Sequence, residues 1–388
     1  MKLNFKNALQ ALMGKSGTAA SWLRGDEASD GGAVLRSSYQ QSVWVYSSIS
    51  VISRQVAQIP FRISRGERSG EDILEEGKLF DLLQRPHPQL NRFQFWELWV
   101  TWLMLRGESF IVPYYAGNGR ARARRAVVLC PDQFQHVVDG TELVGWRYTG
   151  NGPDAPLESQ VFLPEEVIHS RFPNPYSFWR GAGPNNVALL AAGTDFASAQ
   201  FMKGLMLNNA DTGVIAYTDQ QPSEEKRAAI LAALRERKRK AGTADRPLIL
   251  WGGFKIEKPG ISSADMQFLE NRKFNRQEIC AVFGVPQELL GFTEDANRSV
   301  GDAARLNFVE NRIAPLCEML ESDLKPLVDE YEADGEKLFG WFDIETLPVM
   351  QKARRERIDS AEKLFGMGVP LNSINEILDL GLPDLPHG

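Results

Sequence analysis

Two stretches of helical patterning flank a break at Phe283 to Val300, FGVPQELLGFTEDANRSV, and that break limits what the chain can build. Upstream, the pattern runs from about Ser262 to Leu290. Downstream it resumes near Ser299. There Leu306, Val309, Ile313, Leu316, Leu320, Leu324 and Leu327 alternate steps of three and four, which predicts one long packing face. Asp302 falls in the first turn of that helix, where the dipole favours a carboxylate. Between the helices come a Val-Pro step, a glycine and TEDANRS, which holds no side chain large enough to anchor in a core. The chain must therefore accommodate two rods joined by a loop that faces water.

The rest of the sequence supplies a mixed setting. Residues 15–35 are rich in Gly, Ser, Ala and Asp and read as a flexible arm. SVWVYSSISVISRQVAQIPFRI (42–63) places Val45, Ile49, Ile52 and Val56 at helical spacing, then breaks at Pro60 into a short strand. KLFDLLQRPHP (78–88) is a short helix stopped by prolines, with His87 as a turn residue. FQFWELWVTWLMLRGESFIVPYY (93–115) is apolar on almost every face, which predicts a buried helix ending at Gly107, followed by a strand. From 119 to 172 the signals are strand-like. Another long helix runs from Pro184 to about Asn209. A small insert follows: a strand at 212–218, a helix at 223–242 with Ser223 as a simple N-cap, and a hairpin about Gly252–Gly253. A strand, LFGWFDI (338–344), precedes helices at 347–367 and 373–380, the second opened by a Ser373–Glu376 capping box. The fold class is α+β, and 388 residues suffice for two or more packed units.

Several classes of chemistry lack their residues. No GxxxxGK[ST] and no GxSxG occur. The GxG at Gly181–Gly183 lacks a third glycine and a preceding strand, so it reads as a helix entrance. None of the four histidines has a metal-ligand partner at close spacing, and Cys130, Cys280 and Cys317 form neither a disulfide framework nor a zinc pattern. No metal or cofactor is expected, and catalysis is the weaker reading. The start of the chain lacks the features of a secretory signal, and the most hydrophobic run (98–105) is far too short to span a membrane. A soluble protein, intracellular at synthesis, is expected.

Charge is segregated along the chain. The net −6 argues against indiscriminate coating of nucleic acid. Yet residues 223–258 carry ten cations against five acids, with RERKRK (235–240) at a helix end, while residues 318–337 carry eight acids against two lysines. The basic segment is either a solvated helix end or a surface for phosphates or an acidic partner.

Several motifs carry a resemblance. DMQFLENRKFNRQEICAVFGVPQELLG (265–291) is similar to a long signature of the portal proteins of tailed bacteriophages and related gene-transfer particles. RGESFIV (106–112) resembles that family's G-N-A-Y turn and strand, EEVIHSRF (165–172) a later strand, and GAGP (181–184) its G-L-S-P. RIAPLCEMLESDL (312–324) and NSINEIL (372–378) resemble its Arg-x-x-Pro-Leu and closing Asn-Glu helices. The chain departs from the pattern in its short tail and in TEDANRS.

The resemblance implies a portal-type subunit: an arm (1–39), a mixed α/β wing (40–182), a first stem helix (183–210), a small α/β clip (211–260), a second stem helix (261–291), a tunnel loop (292–299), a tunnel helix (300–329), and wing end with short crown (330–388). It implies a self-assembled ring, typically a dodecamer, at one capsid vertex of the virion, assembled in the host cytoplasm. The implied partners are double-stranded DNA, the terminase large subunit, the major capsid protein and adaptor or tail proteins, with no membrane partner. Thr293, Glu294, Asp295, Asn297 and Arg298 would face DNA, and Arg235, Arg237, Lys238, Arg239 and Lys240 would form the docking surface of the clip. The competing expectations are a nucleic-acid-processing enzyme with an unrecognised metal site, and a prophage-derived scaffold without a packaging role.

Overall fold

A computed structural model describes residues 38–68, 72–115, 123–150, 157–207, 263–292, 298–332 and 337–378 of the chain, with short pieces at 215–217, 223–225 and 255–257 and single positions at 228, 232 and 380. The expected arm, most of the insert and the centre of the polar loop lie outside these residues. The chain divides into two units, Ala188–Ile279 forming one and the remainder the other.

The larger unit opens with α1 (Val43–Gln58), capped by Ser42, whose hydroxyl accepts from the Val45 N–H. Val45, Ile49, Ile52 and Val56 are fully buried, as their spacing predicts. The helix stops before Pro60, and β1 (Phe61–Arg65) pairs antiparallel with β10 (Leu338–Phe342), far away in sequence. After α2 (Lys78–Gln84) comes α3 (Arg92–Arg106). Asn91 and Gln94 form a reciprocal capping box at its start, and Gly107, at φ 79°, ends it in the left-handed conformation. Phe61, Trp96 and Phe342 meet with ring centroids 5.1–5.9 Å apart, so an α3 tryptophan joins the two strands into one core. Helix α3 is buried along one side only. Leu98, Thr101 and Trp102 stay half-buried, because no described element packs over that face.

Two three-stranded antiparallel sheets follow. One orders β3 (Ala123–Leu129), β2 (Glu108–Tyr115) and β7 (Ile168–Arg171); the other β4 (Phe134–Asp139), β5 (Glu142–Tyr148) and β6 (Gln160–Phe162). Their shared core includes Phe110, Phe134, Trp146, Tyr148 and Phe162, with Phe110 and Phe134 stacked at 4.0 Å. His87 sits in a turn and accepts from the Gln89 N–H through Nδ1.

Helix α4 (Pro184–Leu207) leads into the smaller unit, where β8 (Ile215–Tyr217) and β9 (Lys255–Glu257) pair antiparallel and α5 (Ser263–Phe283) begins. Within this unit Arg272 donates to the buried Asp195 at 2.9 Å.

Three helix expectations are corrected. Helix α5 ends at Phe283, short of Leu290. Gly284 takes φ 68°, the Val285 N–H returns to the Cys280 carbonyl, and Pro286 follows, so Gln287–Leu290 is a separate 3-10 turn. The downstream rod is α6 (Arg298–Phe308), a π turn (Val309–Ile313) and α7 (Ala314–Asp329), not one α-helix. Pro315 has no N–H for the carbonyl four residues back, and its ring crowds that carbonyl, so the ladder widens by one residue. The apolar face survives the widening: Val309, Ile313, Leu316, Leu320, Leu324 and Leu327 are buried and Leu306 half-buried. After α8 (Pro348–Gly366), α9 spans Leu371–Leu378, so Ser373 lies inside the helix and is no cap. The Pro370 carbonyl already accepts from the Ile374 N–H, which starts the helix a turn earlier than the capping pattern suggests.

Candidate functional site

Motif fragments that are separate in the sequence converge on one carboxylate. Glu108, which follows the left-handed Gly107 at the head of β2, is almost fully buried. Its Oε1 accepts from Arg180 Nε at 2.7 Å, and its Oε2 from the Gly181 N–H at 3.2 Å and from His169 Nε2 at 3.0 Å. The same guanidinium donates from Nη1 to the Phe134 carbonyl (2.6 Å) and from Nη2 to that of Pro131 (3.1 Å). Burial alone would raise the Glu108 pKa, but the His169 bond, the Arg180 charge and the Gly181 N–H together hold it below the usual carboxylate range. His169 goes the other way for an imidazole: burial lowers its pKa, so it is neutral and donates its Nε2 proton. Its ring stacks on Phe110 at 4.3 Å with the Trp146 edge beside it.

Backbones meet at the same place. A Cβ on Gly107 would lie 2.1 Å from the Gly183 nitrogen, and one on Gly181 would lie 2.1 Å from the Gly107 carbonyl oxygen. Both positions, and Gly183 opposite, therefore tolerate nothing larger than hydrogen. Asn185, in the first turn of α4, is buried and bonds Leu105 and Ser38 through its amide. RGESF, EEVIHSRF and GAGP thus form a single clamp that holds the backbone where α4 starts. With both Glu108 oxygens occupied and the group sealed from water, the clamp has no open position for a substrate.

The polar loop is framed from below. Arg312, opening the RIAPL motif, lies with its side chain against Gly284 of the FGVP motif, its Nη2 3.6 Å from Met104 Sδ and its guanidinium 6.0 Å from the Phe172 ring centre. Phe292 packs edge-on to Trp44 of α1 at 5.3 Å, and Arg298 opens α6. The loop base is thus held at its Phe292 end. Thr293, Glu294, Asp295 and Asn297 lie outside the described residues, as do the side chain of Arg298 and the cations Arg235, Arg237, Lys238, Arg239 and Lys240. The structure brings together Glu108, His169 and Arg180, and separately sets Arg312 against Gly284; the sequence offered none of the four as a site residue. The one available signal was a Glu directly after a helix-ending glycine and before an apolar strand.

On the acidic helix α7, Asp323 is mostly buried beside Ser170 and Arg171 of β7, and burial pushes its pKa up to about 6. Its Oδ2 has no hydrogen-bond partner among the described residues. Nearby, Glu321 accepts from the Phe342 N–H at 2.7 Å, and burial raises its pKa too. Among the described residues no cluster of three His, Cys, Asp or Glu could hold a metal ion, and no helix is long and apolar enough to cross a membrane.

The family model described as phage portal protein matches residues 43–380. The chain belongs to that family. Portal relatives are distant in sequence but close in fold. A probable portal protein of Streptomyces phage phiC31 is 24% identical over 86% of this chain and 72% of its own length. The corresponding chain in the neck of a native gene transfer agent particle, computed with C12 symmetry, superposes with a TM-score of 0.64 at 21% identity, over 93% of this chain and 95% of that one. A portal protein of the HK97 phage family from Corynebacterium diphtheriae superposes at 0.59 with 14% identity, over 81% and 97%. The α+β architecture is that of portal proteins.

Proposed function

We propose that this portal-family chain closes into a ring, a dodecamer, at one vertex of a capsid, and that double-stranded DNA passes through its bore during packaging and release. The single observation that carries the reading is the family match, which runs almost the full length of the chain. The C12 neck assembly of a related chain supports the ring.

In this reading the stem is built from residues 183–210 and 261–291, the clip is 211–260, and 292–299 projects into the bore. A loop without anchor residues suits a water-filled channel, since each of its side chains becomes a circle of like groups in a ring. Glu294 and Asp295 would repel phosphates so that DNA slides, and Arg298 would make weak, salt-sensitive contacts. Arg235, Arg237, Lys238, Arg239 and Lys240 would dock the packaging motor and later the adaptor proteins. The role is structural, not catalytic.

Mass photometry and negative-stain microscopy of the purified chain test the proposal. Rings of uniform subunit number are expected. A strictly monomeric protein at every salt and protein concentration overturns it.

A further inference from the structure

Helix α8 is 19 residues long and buries a single side chain, Ala361. A helix gains most of its stability in water from a packed face, and this one has almost none within the chain. It leans on α9 and α6, and Lys352 reaches Asp302 at 2.6 Å. Its outer face carries Arg354, Arg355, Ile358 and Phe365, with both arginines and Phe365 at helical spacing from Ile358. Ile358 is 51% and Phe365 62% exposed, and the two arginines stand in solvent beside them. Among the described residues, the ion pairs of α8 use Lys352 and not these arginines.

A surface of the opposite sign is fixed elsewhere on the same unit. Asp72–Glu76 begins along the outer edge of β1, where Ile73 bridges Ser64 and the Leu74 N–H donates to the Ile63 carbonyl at 2.8 Å. That pairing leaves Ile73 and Leu74 half-buried, with Asp72, Glu75 and Glu76 exposed around them. Ile63–Arg65 pairs with Leu338–Gly340, whereas α8 leaves from the Phe342 end of β10 through a 3-10 turn. The basic, apolar face and the acidic, apolar edge thus belong to opposite ends of one two-stranded sheet. Two unlike, complementary patches on one chain fit a head-to-tail contact between copies, the kind that closes a ring. Exposed charges add little affinity to such a contact, but they select the partner and fix its register.

We propose that α8 is completed by a second copy of this chain, with Ile358 and Phe365 over the neighbour's Ile73 and Leu74 and with Arg354 and Arg355 facing its Glu75 and Glu76. The inference rests on the ring proposed above and names one contact within it.

Mass photometry of the full-length protein tests it with reversed charges. Arg354→Glu/Arg355→Glu and Glu75→Arg/Glu76→Arg are each expected to lower the assembled fraction at least fivefold at fixed protein concentration. The variant carrying all four changes should return to within about twofold of the wild type, which a folding defect would not do. Unchanged assembly in either double variant overturns the contact and leaves the ring standing. A fourfold variant no better than the doubles overturns the pairing as well. A second measurement needs no closed ring: the Ile358→Cys/Glu76→Cys variant is treated with a short bismaleimide, each single variant serving as control for the native cysteines. A ladder of dimers and larger species on a denaturing gel, at least fivefold above either control, is expected. A monomer-sized link, or no ladder above the controls, overturns the proposal. The ladder without wild-type rings would support the contact and count against the ring alone.

Discussion

Glu108 and Asp323 are both carboxylates sheltered from water, and their environments push them in opposite directions. Glu108 has a donor on every side, so its folded form is stabilised as the anion. That contribution is present above the pKa of an unfolded carboxylate and is lost as pH falls through the depressed folded value. The neutral His169 acts in the same sense, since protonating it in acid opposes folding. Replacement Glu108→Ala leaves the half-buried Arg180 without its counter-charge and is expected to cost about 3 kcal/mol, measured by denaturant unfolding at pH 7. The acid limb of its stability profile should also flatten. Asp323 has the reverse sign. Its folded pKa of about 6 lies above the unfolded value, so stability falls as pH rises from about 4 to about 6. Asp323→Asn is therefore expected to raise the melting temperature by a few degrees at pH 7.5 and to leave it unchanged at pH 4. An equal gain at both pH values would exclude titration of this group as the cause.

Elements begin and end here for reasons that are partly local. Gly107, Gly284 and Pro370 mark boundaries that follow from backbone chemistry alone. A Cβ at Gly284 would have room, with the nearest atom of Arg312 3.5 Å away, so Gly284→Ala should cost only the left-handed strain, about 1–2 kcal/mol by thermal melting. Gly183→Ala meets backbone at 2.5 Å and should instead prevent the clamp from closing, seen as loss of soluble protein. At the loop base, Trp44→Ala removes an aromatic contact worth about 0.5–1.5 kcal/mol, and limited proteolysis between 293 and 297 is expected to quicken severalfold. The π turn was not legible in the apolar spacing, because the widened turn keeps the same side chains on the buried face while changing the ladder behind them. Nor was the half-open face of α3. Its composition called for burial, but composition does not say which neighbour provides it.

For the whole molecule, segregated charge gives the prediction. If RERKRK is the docking surface of the clip, reversing Arg237, Lys238 and Arg239 to Glu should leave ring formation intact by mass photometry. Binding of the packaging motor in a pull-down should fall at least tenfold. Loss of the rings themselves would mean that these cations act in assembly instead. Most of the order of helices and strands, and the family itself, were legible in the amino-acid sequence, since both are carried by short-range pattern: apolar periodicity, proline and glycine punctuation, and the string from Asp265 to Gly291.

The sequence by itself determined that this chain alternates long helices with short strands and carries the portal signature. Local pattern suffices for that, because backbone preference and burial period act over a few residues. The tertiary structure alone decided that RGESF, EEVIHSRF and GAGP close on Glu108, and that RIAPL leans on FGVP. A charge buried at one point of the chain must be answered by donors some 60 to 70 residues further along, and no local pattern specifies which of many arginines and histidines will arrive.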